Sequence, residues 1–169
     1  WSKDGKNSGR LINARAEGLL EKPSFRVPAI RRHCLVPADS FYEWQKLPDK
    51  RKVPFRILLK NNQLLFLAGI WDEWKSGDER KRTFSIITTT PNADVAALHD
   101  RMPVILPDKQ SQKRWLEASD PEEITSMLNP TANDTLELYR VSERLNKPGI
   151  EGDDLHKPIN EENDLRLFT

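Results

Sequence analysis

The chain of 169 residues is poor in the residues that most often advertise chemistry, with one cysteine, three histidines and seven glycines. The lone Cys34 excludes an internal disulfide and fits a reducing compartment, so a cytoplasmic location is expected, nucleoid-associated if the source is bacterial. No stretch approaches the roughly 20 apolar residues of a membrane-spanning helix, and no signal-peptide pattern opens the sequence, so no membrane partner is expected. The glycines never fall into G-x-G-x-x-G or G-x-x-x-x-G-K, and no Cys/His spacing suits zinc, so neither a cofactor nor a metal is expected.

What the sequence does have is charge, unevenly spread. Residues 1–60 carry 14 Lys/Arg against 6 Asp/Glu, and residues 61–169 carry 13 against 20, although the whole nets only +1. A basic front and an acidic rear mark either a polyanion-facing side or charges that separate along the chain and mix in space. The length suits one domain over residues 1–169 with a real apolar core.

β-Branched and aromatic residues between turn signals predict strands at Cys34–Pro37, Phe41–Gln45, Val53–Lys60, Leu64–Trp71, Phe84–Thr90, Val104–Leu106 and Leu136–Val141. Ala38-Asp39-Ser40 reads as the turn of one hairpin and Asn61-Asn62 as that of another. Asn92 is placed to cap a helix over Ala93–Leu98, and a second helix is expected over Asp108–Ala118. Asp120-Pro121-Glu122-Glu123 starts a third, with a capping acid, a first-turn proline and acids at the positive end of the dipole. The tail after Val141 reads as loop. The expected class is α+β, mainly antiparallel, with a barrel-like or sandwiched sheet and peripheral helices.

Three segments hold polar groups that a purely structural sequence rarely needs. In Leu11–Glu17, period-2 alternation puts Asn13, Arg15 and Glu17 on one strand face, either solvated or part of a site. Glu43 lies in an aromatic run, Phe41-Tyr42-Glu43-Trp44, where it is either exposed or buried, and burial raises a carboxyl pKa into a range useful for proton transfer. His99-Asp100-Arg101 sits at a loop-to-strand junction, where His99 is either an acid–base group or a structural partner of Asp100, and Arg101 is suited to binding an anion. His33, beside Arg31-Arg32, reads as part of a basic surface, and His156 as solvated. A Cys34–His99 nucleophilic dyad is disfavoured, because Cys34 heads the core-strand pattern Cys34-Leu35-Val36-Pro37, where a free thiol is usually inert.

Together the blocks LINARAE (Leu11–Glu17), CLVPADSFYEW (Cys34–Trp44), AGIWDEW (Ala68–Trp74) and HDRMPVIL (His99–Leu106), followed by Val141-Ser142, resemble the SRAP (SOS response-associated peptidase) family in order and spacing over nearly the whole chain. That resemblance implies binding of single-stranded DNA and covalent capture of abasic sites. The α-amine of an amino-terminal cysteine forms a Schiff base with the ring-opened sugar, and its thiol closes a thiazolidine. Processing of the initiator Met accounts for the family's peptidase name. By the same resemblance Asn13 places the amino-terminal nucleophile, Glu43 holds or deprotonates its amine, and His99 shuttles a proton at the sugar oxygen. Arg15 and Arg101 grip phosphates, Thr88 and Trp44 line the same groove, and Trp1 stacks on bases beside the lesion. The expected partner is single-stranded DNA with abasic sites, handled by a monomer. The sequence begins at Trp1, so the nucleophile is expected upstream of residue 1. A peptidase acting in trans and a non-covalent single-strand binding module are the alternatives.

Overall fold

The computed structural model describes residues 11–159. Two sheets form. The first orders β1 (Asn13–Arg15), β6 (Glu79–Thr89), β5 (Leu65–Ser76) and β2 (His33–Ala38), with β7 (Met102–Pro103) also on β6. The second orders β3 (Phe41–Lys46), β4 (Lys52–Leu59) and β8 (Leu136–Arg140). All pairings are antiparallel except β1 on β6, which places Asn13 opposite Ile86 and Arg15 opposite Thr88.

Three layers follow from which faces are apolar. The helices α1 (Pro23–Arg31), α2 (Lys109–Glu117) and α3 (Pro121–Ser126) bury Phe25, Ala29, Trp115 and Ile124 with Ala14, Ala68, Ile70 and Ile87 of the first sheet. On the other side of that sheet, Leu65, Leu67 and Met102 join Ile57 and Leu136 of the second sheet, with Val95 and Ile105 from the segments flanking β7. Each element is therefore apolar on the side that meets a neighbour, the condition for a layered α+β domain. The sandwiched arrangement expected from the sequence is present, and the described sheets do not close into a barrel.

Both expected hairpins are corrected. β2 pairs with β5 and β3 with β4, so Ala38-Asp39-Ser40 carries the chain from one sheet to the other. Asn61-Asn62 makes the return crossing, from β4 to β5. The turn chemistry itself is present. Asn62 has φ 55°, and its N–H donates to the Leu59 carbonyl at 2.9 Å. Asp39 and Ser40 are held by Arg56, whose Nη2 and Nε each donate at 2.8 Å. Local turn residues bend the chain, but they do not decide which strand it meets next.

The hairpins among the described residues join β3 to β4 and β5 to β6; the second turns at Gly77, with φ 57°, and its arms run through the charged stretch 72–83, beyond the expected strand ends. A helix was not expected at Pro23–Arg31 because two prolines obscure it. Pro23 sits in the first turn, where its missing N–H costs nothing, and Pro28 is tolerated inside a short helix that buries Phe25 and Ala29. The stretch after Asn92 forms successive turns in place of the expected helix. The Asn92 side chain accepts from the Val95 N–H at 3.2 Å, and the His99 N–H closes the last turn on the Val95 carbonyl at 3.1 Å. The helices at Lys109–Glu117 and Pro121–Ser126 start as expected, capped by Asp108 and Asp120.

One glycine is required by closeness. A Cβ on Gly69 would lie 2.8 Å from the Cys34 sulfur and 3.2 Å from a Val36 methyl. Gly69→Ala is expected to destabilise the fold by about 1–3 kcal/mol in urea denaturation. Adding Cys34→Ala should recover part of that loss, because it removes the nearest atom.

Candidate functional site

Where β5 and β6 part, the segment after Arg101 enters between them. The Val104 N–H donates to Ile87 at 2.9 Å, its carbonyl accepts from Ala68 at 2.9 Å, and Leu106 donates to Phe66 at 2.8 Å. This insertion fixes the loop carrying His99 and Arg101 against β1 and the end of β6, with β3 of the second sheet opposite. A cavity of about 400 Å³ opens there, and Asn13, Arg15, Glu43, Thr88, His99 and Arg101 all line it.

Strand alternation explains each placement. In β1, Asn13 and Arg15 are exposed while Ala14 between them is fully buried. Glu43 and Trp44 are neighbours in β3 and point to opposite faces. Trp44 is therefore not brought to the cavity, and its indole N–H donates to Asn146 at 2.8 Å. Glu17 leaves the strand in a 3-10 turn, Ala16–Gly18, and reaches the site from the side through Arg101. Trp1 lies outside the described residues. Sequence reasoning missed the apolar part of the lining, including Phe41, Leu67, Ile86 and Met102, because their pattern is that of ordinary core residues.

On the cavity wall His99 Nδ1 stands 3.8 Å from Glu43 Oε1, and it lies 3.4 Å from Asp100 Oδ1 outside the lining. The Arg101 main chain meets the same nitrogen with both its groups, the N–H at 3.1 Å and the carbonyl at 3.3 Å, so Nδ1 accepts from the first in one tautomer and donates to the second in the other. Glu43 is half-buried, and burial pushes its carboxyl above the usual glutamate range; the nearby His99 works against this. A half-buried carboxyl beside an imidazole is an arrangement suited to proton transfer.

Arg101 is tied down. Its two terminal nitrogens donate to the two Glu17 oxygens at 2.6 and 2.9 Å, and Nη2 also donates to the Thr88 carbonyl at 2.5 Å. These bonds hold the Glu17 carboxyl below its usual range. Arg15, by contrast, makes no ion pair among the described residues. Cys34 lies elsewhere, in a mostly apolar cavity with Val36, Trp71 and Phe84, and burial pushes its thiol up, the opposite of an activated nucleophile.

The family model of the SOS response associated peptidase (SRAP) matches residues 1–148. The chain belongs to the SRAP family. Among its SRAP relatives, the abasic site processing protein YoqW of Bacillus subtilis is 46% identical over 151 residues, covering 88% of this chain and 67% of that protein. The abasic site processing protein HMCES of Gallus gallus is 30% identical over 158 residues, covering 79% of this chain and 47% of that one. The chain thus spans about two thirds of the length of the former and under half of the latter. Among solved structures, a protein from Bacteroides thetaiotaomicron superposes with a TM-score of 0.85 at 30% identity, covering 95% of this chain and 72% of that one. A second, from Bordetella bronchiseptica, gives a TM-score of 0.69 at 29% identity over 77% of this chain and 64% of its own. The SRAP architecture therefore extends to both layers that form the cavity.

The raised Glu43 pKa has a consequence for stability. The folded state favours the neutral carboxyl, so this contribution is fully present below the unfolded-state pKa and is lost as pH rises through the higher folded-state value. Glu43→Gln is therefore expected to melt at a higher temperature than the wild type at neutral and alkaline pH. The difference should shrink as pH falls into the ordinary carboxylate range, as read by thermal denaturation across a pH series.

Proposed function

We propose that this SRAP chain processes abasic sites in single-stranded DNA, with Glu43 and His99 as the proton-transfer pair. The observation that carries the reading is their approach to 3.8 Å in a cavity that also holds Asn13 and Arg15. The names of the relatives, abasic site processing proteins, support the substrate class.

The chemistry asks for what the cavity holds. An abasic sugar rests mainly as a cyclic hemiacetal, and opening it moves a proton from the anomeric hydroxyl to the ring oxygen. His99 is placed to give and take that proton, a role typically worth ~10²–10⁴ in rate. The nucleophile in this reading is an amino-terminal cysteine, and it is not Cys34, the one cysteine of these residues. Its amine must lose a proton to attack, and Glu43 accepts it. The carbinolamine then loses water, with a proton delivered to the departing hydroxyl, and leaves the imine. Addition of the thiol across the C=N bond closes a thiazolidine, with the sulfur proton passing to nitrogen. Asn13, at the mouth of the same strand, orients the amine by hydrogen bonding, and Arg15 meets a phosphate beside the lesion, a contact that positions without reading sequence.

The full-length protein is to be incubated with a single-stranded oligonucleotide bearing one abasic site, and with the intact oligonucleotide. A heat-stable shifted band is expected with the first alone, formed about 10²-fold or more slowly by His99→Ala. Absence of the band with the wild-type protein overturns the reading. Binding of intact single strands without any cross-link would instead favour a non-covalent module, and His99-dependent cleavage of unrelated peptides a peptidase in trans.

A further inference from the structure

We infer that Asp94, with Asn92 behind it, is a positioning residue: it clasps the turns before His99 to the start of β8 and so sets the approach of His99 to Glu43. The inference rests on the proton-transfer reading of that pair for its consequence in rate, and on hydrogen-bond geometry for the clasp itself.

The two members of the pair come from different sheets. Glu43 rides on β3, which is fixed to β4 and through it to β8. His99 ends a run of turns whose far side is anchored in the first sheet by Val104. The near side of that run is fixed to the second sheet by Asp94. Its Oδ1 accepts from the Asp134 main-chain N–H at 3.0 Å. Its Oδ2 accepts from the Leu136 main-chain N–H at 3.2 Å and from the Asn92 side-chain amide at 3.1 Å. Asp134 has φ 64°, a left-handed turn that lets neighbouring N–H groups converge on one anion. Burial opposes the charge, yet these donors hold the Asp94 carboxyl below its usual range. The Asn92 amide also donates to the Ala132 carbonyl at 3.2 Å, and the Ala93 N–H to Asn133 Oδ1 at 2.9 Å.

The receiving segment is part of the second sheet. Leu136 stands opposite Leu59 in the β4–β8 register, and the Lys60 N–H donates to the Thr135 carbonyl at 3.1 Å. From the clasp to the imidazole the chain is stiff. The Val95 N–H meets Asn92 Oδ1 at 3.2 Å, and the Leu98 and His99 N–H groups both close on the Val95 carbonyl, at 2.8 and 3.1 Å. Val95 is itself fully buried in the cluster with Ile57 and Leu136. Apolar contact of that kind holds the run against the sheet but is non-directional, so orientation falls to the clasp. A shift of Asp94 relative to β8 therefore reaches His99.

Two measurements on the full-length protein test this. The first is the first-order rate of cross-linking to an abasic oligonucleotide at saturating protein, taken beside the affinity for the intact strand. Asp94→Ala is expected to lower the rate by about 10²-fold, as misplacement of an acid–base group does, and to leave the affinity unchanged. In a His99→Ala background the same substitution should cost almost nothing further, because it acts through that ring. Asp94→Asn, which keeps one acceptor, should show the same pattern at smaller size, and it serves where Asp94→Ala fails to fold. Asp120→Ala, which removes the cap of α3, controls for lost stability and should react at the wild-type rate. The second measurement needs no DNA: the nuclear Overhauser contact between the His99 ring and the Glu43 side chain, expected in the wild type and weakened in Asp94→Asn. A wild-type rate in folded Asp94 variants overturns the inference. So does an equal cost with and without His99, an equal loss in Asp120→Ala, or a contact that persists at full strength. If the wild type itself fails to cross-link, the abasic-site reading falls, while the contact still reports whether Asp94 sets the approach of the pair.

Discussion

The site depends on a fork in one sheet. β5 and β6 run as a regular antiparallel pair from Ser76 and Glu79 as far as Gly69 and Ile86, then diverge, and the main chain of Val104 fills the gap by donating to Ile87 and accepting from Ala68. Backbone groups inside a protein must find partners, so this insertion satisfies both edges at once and leaves the preceding loop little freedom. His99 and Arg101 are the last residues before that anchor. Their position relative to β1 is thus set by main-chain bonds between buried strands, with Met102, Val104 and Ile105 packed on either side. A side chain on a loop acquires definition when the loop is pinned this closely to the core.

The second constraint is that the chain changes sheets at residues 38–41 and again at 59–65, before a third change takes it from β7 to β8. These crossings bring β3 over the open face of the first sheet, and so bring Glu43 to His99. They also bury Glu43 far enough to raise its pKa. Had Phe41–Lys46 folded back on His33–Ala38 as a simple hairpin, Glu43 would have been a strand neighbour of Cys34–Val36, away from the imidazole. Gly69 serves the same layer. Its bare α-carbon admits the Cys34 sulfur, so that β2 lies flat on β5.

Electrostatically the cavity separates its charges by partner. Arg101 is paired with a carboxylate and built into the wall, while Arg15 is exposed and makes no ion pair among the described residues. The imidazole and its carboxyl sit between them. Fixed donors in defined positions matter more than total charge. The overall balance of the chain, near neutral, is consistent with a local arrangement of this kind.

Much of this protein was legible from residue types in order. The alternation of Leu11–Arg15 predicted which side chains of β1 are exposed, and Asp108 and Asp120 marked two helix starts. The resemblance to the family also named six residues that line one cavity, five of them within the four blocks and Thr88 outside them. Those features are local, or are carried in the sequence as motifs. What local chemistry left undecided was pairing. A turn at Asp39-Ser40 or Asn61-Asn62 bends the chain identically whether the next strand joins its neighbour or crosses to another layer, and only burial of the apolar faces selects between them. The same holds for Trp44, whose family motif suggested a place in the groove while strand alternation turned it away towards Asn146. Glu17 is the clearest case. In sequence it is one more acid on a strand face, and its grip on Arg101, 84 residues further on, exists only because the tertiary fold carries the two segments together.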